Sequence, residues 1–159
     1  MSRYTLDCEF AESPGQLDLI SIALVCDDGR EFYGVLSDGW HPGRCNQWVK
    51  DNVLPNLDTA WPMSRADTKA AILDFVSAGG SPPEFWGYYA DYDWVAFCWL
   101  FGAMIDLPKG WPMYCRDLKQ VADDLGVRLP HSNDRHNSLG DARDMMKNLL
   151  WIDKQKGGE

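Results

Sequence analysis

The chain has 159 residues, the size of one ordinary domain, and we expect residues 1–159 to form a single domain. Apolar residues make up 45% of the chain and charged residues 25%, which excludes a disordered or fibrous protein. With 24 acidic residues against 15 Lys and Arg, the net charge of -9 argues against a protein that coats nucleic acid through a broad basic face. No apolar run reaches the roughly 18 residues of a membrane helix. The five cysteines form no C-x-x-C pair, so we expect reduced thiols and a cytoplasmic protein with no membrane contact.

The first part of the chain predicts three strands. A first strand is expected over residues 3–9 and a second over 17–26, whose continuous apolar run suits a strand that is buried on both faces. The sequence Asp27-Asp28-Gly29-Arg30 is typical of a tight turn, so residues 17–36 are predicted to form a β-hairpin.

Beyond residue 37 the pattern predicts helices and one further strand. The strand is expected over residues 84–89, and the helices over 44–53, 65–77, 94–101, 116–125 and 138–152. Ser64 and Ser138 have the spacing of helix caps for two of these helices. Antiparallel strands followed by alternating strands and helices predict an α/β fold, with a mixed sheet flanked by helices.

Two carboxylates on the first strand are the first candidates for chemistry. Asp7 and Glu9 stand at positions i and i+2, so their side chains point to the same face of the strand. Their mutual repulsion costs stability unless a cation neutralises it, and Mg²⁺ or Mn²⁺ prefers oxygen ligands of this kind. Taken alone, the pattern also fits two carboxylates that face solvent on an edge strand.

Two later acidic positions can each be interpreted in two ways, as a helix cap or as part of a functional site. Asp93 follows the predicted strand over 84–89 and opens a helix, where it either reaches the open end of the sheet or caps the helix, and Asp91 could serve the same place. Asp141 lies near the start of the last helix, and capping-box spacing from Ser138 also explains it. A capping role for Asp141 does not explain His136, which lies five residues earlier.

Together these residues resemble a known group of nucleases. The chain is similar to the DEDDh 3′-to-5′ exonucleases of the RNase T-like superfamily through three segments that span nearly its whole length, residues 6–10, 89–94 and 136–142. Within that group it resembles the small Rv2179c-like exoribonuclease branch, which has phage relatives, through residues 19–22, 28–33 and 92–102.

The resemblance implies an RNase H-like fold and a two-metal mechanism. It implies that two divalent ions, Mg²⁺ or Mn²⁺, are held by four carboxylates, those of Asp7, Glu9, Asp93 and Asp141. His136 would be the general base for the attacking water, a role that suits an imidazole. Phe10 would approach the terminal nucleotide, and Arg135, beside His136, is a candidate phosphate contact. The resemblance also admits a homodimer.

The expected substrate is a single-stranded 3′ end or a short overhang, because few basic residues are available to bind long duplexes. RNA is favoured over DNA by the narrower resemblance alone, so a DNA exonuclease of repair or phage replication stays open. A non-catalytic binding module and a two-carboxylate glycosidase are further alternatives.

Among the eight tryptophans, four are expected in the core, namely Trp86, Trp94, Trp99 and Trp151. Three in loops are open candidates for base stacking, namely Trp40, Trp61 and Trp111.

Overall fold

A five-stranded mixed sheet forms the centre of the molecule. The computed structural model describes residues 1–130 and 136–156. The sheet has the order β3-β2-β1-β4-β5, in which β1 pairs antiparallel with β2, β2 antiparallel with β3, and β1 parallel with β4. The strands are β1 (Ser2–Ser13), β2 (Gln16–Cys26), β3 (Glu31–Val35), β4 (Pro83–Gly87) and β5 (Arg116–Asp117). The predicted α/β class, with antiparallel and parallel strands in one sheet, is confirmed.

Helices cover both faces of this sheet. They are α1 (Gln47–Asn52), α2 (Arg65–Ser77), α3 (Asp91–Phe101), α4 (Leu118–Asp124) and α5 (Ser138–Lys156). Among the described residues, no helix is long and apolar enough to cross a membrane.

Side chains of β1 alternate between the two faces of the sheet, and each face carries a hydrophobic core. Leu6 and Cys8 belong to the core that α2 and α3 complete, where Ile72 and Phe97 are fully buried. The opposite face carries a second core, built with residues of α4 and α5 that include Leu118 and Leu149. Because Asp7 and Glu9 alternate with Leu6 and Cys8, their side chains lie on the α5 face.

Two buried hydrogen bonds made by hydroxyl groups fasten α5 to the sheet. The Thr5 hydroxyl donates a hydrogen bond of 2.7 Å to the carbonyl oxygen of Ala142. The hydroxyl groups of Ser21 and Ser138 lie 3.1 Å apart and share a second buried hydrogen bond. A buried polar group without a partner costs free energy, so these bonds fix the position of the start of α5 over β1 and β2.

Several element boundaries differ from the sequence predictions. The first strand continues to Ser13, because it pairs with β2 from Tyr4 to Ser13. The helix expected over 116–125 is preceded by β5, and it begins after Asp117, whose carboxylate accepts a hydrogen bond from the backbone N–H of Lys119. The last helix is capped by Asn137 instead of Ser138, since the Asn137 side-chain oxygen accepts from the backbone N–H of Gly140.

Candidate active site

Three carboxylates meet at the carboxyl-terminal half of β1. Oxygen atoms of Asp7, Glu9 and Asp141 lie within 4.8 Å of one another. Asp7 and Glu9 come from one face of β1, and Asp141 comes from the first turn of α5, which packs on that face. Carboxylates this close repel one another, so the cluster suits a bound cation better than an empty site.

A β-bulge lies directly beside this cluster. The register between β1 and β2 shifts between Glu9, which pairs with Ser21, and Phe10, which pairs with Leu19. Ile20 is therefore the extra residue on β2. Bulges twist a strand locally and redirect its side chains, and they are frequent next to active sites.

The fourth predicted acid, Asp93, lies in the first turn of α3, and its side chain is only 8% exposed. One of its carboxylate oxygens accepts a hydrogen bond of 2.7 Å from the backbone N–H of Cys8, the residue between Asp7 and Glu9. Neither Asp91 nor Asp93 caps the helix, because the cap position is held by Ala90 and has no side-chain hydrogen bond. The capping interpretation of these two acids was therefore wrong. Asp91, the alternative to Asp93, is exposed.

Burial and mutual repulsion raise the pKa values of the acids. Burial raises the pKa of Glu9 to about 8, with further contributions from Asp141 and Asp93. Burial also raises the pKa of Asp7 well above its usual value, and the charges of Asp93, Glu9 and Asp141 add to this effect. The pKa of Asp93 is raised chiefly by burial, while the hydrogen bond from Cys8 opposes the shift. The metal-free site therefore holds protons near neutral pH that a divalent cation would replace.

A cavity of about 420 Å³ opens over the acids and is lined by Asp7, Tyr88, Tyr89, His136, Asp141, Asp144, Met145 and Asn148. Tyr89 and His136 have left-handed backbones, with φ of 54° and 68°. This conformation is uncommon for residues other than glycine, and such strain gathers at functional sites. The cavity therefore joins the predicted histidine to two of the predicted acids.

Asp141 also organises the entry to α5. One of its carboxylate oxygens accepts a hydrogen bond of 3.0 Å from the backbone N–H of His136. The carboxylate thus supports the helix entry, as the capping interpretation expected, and lies in the acidic cluster as well. The two interpretations of Asp141 are compatible.

Two residues that no sequence pattern singled out, Gly87 and Asp117, fix the junction between β4 and α3. The Asp117 carboxylate accepts a hydrogen bond of 3.0 Å from the backbone N–H of Ala90 and so ties the junction to the start of α4. At Gly87, a Cβ atom would lie 2.6 Å from the Cβ of Ala90, so the chain can turn here only without a side chain. These contacts position the first turn of α3, which contains Asp93.

Five further cavity residues were also missed, namely Tyr88, Tyr89, Asp144, Met145 and Asn148. Asp144 and Asn148 follow Asp141 on α5, and the helical spacing i, i+3, i+7 places all three on one face of the helix. That spacing was a usable signal. Tyr89 lies in the segment 89–94 that carries the resemblance, but that resemblance assigned it no role, and its exposure of 66% at the cavity follows from the turn after β4.

The two predicted substrate contacts have different outcomes. Phe10 is half-buried and follows Glu9 on β1, and its ring packs edge-on against Tyr92 with ring centroids 6.0 Å apart. Arg135 lies outside the described residues.

Of the tryptophans expected in the core, Trp86 and Trp94 are buried, whereas Trp99 and Trp151 are 48% and 41% exposed. That part of the prediction was wrong, because α3 and α5 each present one tryptophan on the outer face.

The chain matches a known protein family over nearly its whole length. Residues 2–152 match the family described as the 3'-5' exoribonuclease Rv2179c-like domain. A relative named 3'-5' exoribonuclease Rv2179c, from Mycobacterium tuberculosis strain H37Rv, is 38% identical over 157 residues, which cover 94% of this chain and 92% of the relative.

Solved structures of nucleases share the fold at low sequence identity. The metal-free form of the E. coli ExoI complex with single-stranded DNA superposes with a TM-score of 0.61 at 14% identity, over 98% of this chain and 40% of that chain. S. pombe Pop2p, in a form bound to Mg²⁺ and Mn²⁺, superposes with a TM-score of 0.51 at 14% identity, over 91% of this chain and 81% of that chain. These likenesses confirm the RNase H-like fold.

Identity over nearly the full length of the mycobacterial relative and the family match lead to the same assignment. This chain belongs to the Rv2179c-like family of 3'-5' exoribonuclease domains, and it is an enzyme of the exonuclease class.

Proposed function

We propose that this chain is a metal-dependent 3′-to-5′ exoribonuclease of the DEDDh type, which removes nucleoside 5′-monophosphates from single-stranded or overhanging RNA 3′ ends. The observation that carries the proposal is the meeting of Asp7, Glu9 and Asp141 beneath a cavity that His136 also lines. The activity named for the family and for the mycobacterial relative supports it.

The acidic cluster fits a pair of hard divalent ions. Carboxylate oxygens of Asp7, Glu9 and Asp141 that lie within 4.8 Å of one another suit Mg²⁺ or Mn²⁺. Buried Asp93, on α3, accepts a hydrogen bond from Cys8, which lies between Asp7 and Glu9 on β1. We assign the metal ligands as Asp7, Glu9, Asp93 and Asp141. When bound, two such ions supply activation of the attacking water and charge stabilisation of the leaving oxygen.

His136 is the proposed general base. Its side chain borders the same cavity as Asp7 and Asp141, and the bond from its backbone N–H to the Asp141 carboxylate anchors the residue at the cavity wall. The neutral imidazole takes a proton from the water that attacks the terminal phosphorus. The bond between that phosphorus and the 3′ oxygen of the preceding nucleotide then breaks, and that oxygen leaves as the new 3′ hydroxyl once it is protonated.

The substrate is proposed to be a single strand that enters with its 3′ end. A net charge of -9 gives the protein little general attraction for long duplexes, so binding has to come from the site itself. Phe10, adjacent to Glu9, offers an aromatic ring for the terminal base, and Arg135 remains a predicted phosphate contact. The homodimer and the cytoplasmic location also remain predictions.

A labelled-strand cleavage assay tests this proposal. Single-stranded RNA and DNA of the same sequence, labelled at the 5′ end, are incubated with the protein and Mn²⁺, with EDTA and Asp7→Ala as controls. We expect a ladder that shortens RNA from its 3′ end, stops with EDTA and is absent with Asp7→Ala. Preferred cleavage of DNA would move the assignment to a DNA exonuclease, and no cleavage of either strand would overturn the catalytic proposal.

A further inference from the structure

Trp48 touches the proposed general base from outside the catalytic cavity. Its ring and the His136 imidazole have centroids 4.6 Å apart and planes at 82°, an edge-to-face contact. Trp48 lies on α1 and is 51% exposed, so this ring is not held in the core of the protein. The contact with His136 therefore forms near the protein surface, beside the cavity that His136 lines.

His136 needs such support because its backbone is strained. The residue has a φ of 68°, a left-handed conformation that a histidine keeps only when its surroundings hold it there. The backbone N–H is fixed by the Asp141 carboxylate. That bond fixes the main chain, and it leaves the orientation of the imidazole to contacts of the ring.

A series of asparagine hydrogen bonds joins Trp48 to Asn137, the residue that follows His136. We call Asn52, Asn56 and Asn137 the asparagine ladder. The side-chain amide of Asn137 donates to the carbonyl of Asn56 at 2.8 Å, that of Asn56 to the carbonyl of Asn52 at 2.7 Å, and that of Asn52 to the carbonyl of Trp48 at 2.9 Å.

Asn137 connects this ladder to the catalytic helix. Its side-chain oxygen caps α5 through the backbone N–H of Gly140, while its amide donates to Asn56. The residue after His136 is thus held both to α5, which carries Asp141, and to the segment that carries Trp48. The His136 ring and the Asn137 side chain, at adjacent positions, thus both make contacts with residues outside α5.

We propose that Trp48 is a positioning residue, which holds the His136 imidazole toward the cavity and so sets the geometry of the proton transfer. The inference rests on the proposed function, because it needs His136 to act as the base. A base that is displaced by about an ångström loses much of its effect on rate. Trp48 itself touches no reacting group and acts only through His136.

Steady-state cleavage of a short single-stranded RNA with Mn²⁺ tests the proposal. The variants are Trp48→Ala, Trp48→Phe, His136→Ala and the double variant Trp48→Ala/His136→Ala. Trp151→Ala is the control, because Trp151 is a similarly exposed tryptophan on α5, and its ten-residue separation from Asp141 corresponds to about 15 Å of helix. Melting temperatures check that each variant folds.

We expect Trp48→Ala to lower kcat about three- to tenfold and to change KM less than twofold. Trp48→Phe should recover most of the rate, since an aromatic ring restores the edge-to-face contact. In the His136→Ala background, removal of Trp48 should have no further effect. In the metal-free protein, the His136 ring resonances should move in Trp48→Ala and stay in place in Trp151→Ala.

Three results would overturn the inference. An unchanged kcat in Trp48→Ala would remove the positioning role, and a loss confined to KM would make Trp48 a direct substrate contact instead. If Trp48→Ala lowered kcat by the same factor in the native protein and in the His136→Ala variant, Trp48 would act independently of the histidine. Failure of the proposed function has a different signature, because the native protein would then leave RNA intact or His136→Ala would keep full activity.

Discussion

Glu9 should make the metal-free protein less stable as the pH rises, which is the reverse of what a salt-bridged carboxylate does. Its pKa is raised to about 8 in the folded protein, against an ordinary value of 4.5, chiefly by burial. Between these values the folded protein holds one more proton than the unfolded chain does. The free energy of unfolding therefore falls as the pH increases through this window, and it is highest below pH 4.5 as far as Glu9 is concerned.

The size of the effect follows from the same two values. One extra bound proton changes the free energy of unfolding by about 1.4 kcal/mol per pH unit, so the contribution of Glu9 across the window is roughly 5 kcal/mol. For a chain of this length, 1 kcal/mol corresponds to about 2 to 4 °C in Tm. The metal-free protein should thus lose on the order of 10 to 20 °C in Tm relative to a variant that cannot ionise at this position.

The assay compares Tm for the native protein and Glu9→Gln from pH 5 to pH 8.5 with a chelator present. Both proteins should lose Tm as the pH rises, because burial also raises the pKa values of Asp7 and Asp93, but the native protein should lose clearly more than Glu9→Gln. Glu12→Gln is the matched control, because Glu12 lies on the same strand and is exposed. Parallel pH profiles for the native protein and Glu9→Gln would refute the reasoning, since they would show that Glu9 ionises as easily in the folded protein as in the unfolded chain.

Three further predictions concern the same region. Adding Mn²⁺ to about 100 times its Kd at pH 8 should raise the free energy of unfolding by about 2.7 kcal/mol, and Asp7→Asn/Asp141→Asn should abolish the gain in Tm; a gain that survives would place the ion elsewhere. Asp93→Ala should lower stability by about 1 to 3 kcal/mol because it leaves the buried Cys8 N–H without its acceptor, whereas Asp93→Asn should keep the Tm and still lose cleavage. Gly87→Ala should cost about 1 to 3 kcal/mol in a urea titration, since the new Cβ would lie 2.6 Å from the Cβ of Ala90, and an unchanged midpoint would contradict this.

Elements with strong local signals could be predicted closely from the sequence. The helix α2 runs from Arg65 to Ser77 as expected, because Ser64 caps it through the backbone N–H of Asp67 and two glycines follow its end. The hairpin of β2 and β3 also forms as expected, with Gly29 at a φ of 90° in its turn. In both cases the local preference of the chain agrees with the tertiary structure.

Elements whose limits depend on distant partners could not be predicted as well. The cap residue of α5 is Asn137 and not Ser138, because the Ser138 hydroxyl shares a hydrogen bond with Ser21, which is 117 positions away in the sequence. The start of α3 at Asp91 depends on Asp117, which binds the backbone of Ala90. Neither pairing has a local signature.

The candidate site also combines features with a local sequence signal and features that depend on distant contacts. Alternation along a strand was enough to place Asp7 and Glu9 on one face. The bond from Cys8 to Asp93 and the contact of Trp48 with His136 join segments that are remote in the sequence, so only the folded structure shows them. Exposed tryptophans on α3 and α5 were assigned to the core because hydrophobicity alone does not tell which face of a helix a tryptophan occupies.

The attachment of α5 to β1 also makes the acidic cluster depend on long-range folding. The Thr5 hydroxyl and the carbonyl of Ala142 are 137 positions apart in the sequence, so the cluster forms only when these two remote segments have come together. Asp7 and Glu9 lie on β1 and Asp141 lies on α5, so any opening of α5 away from the sheet separates these carboxylates and dismantles the acidic cluster.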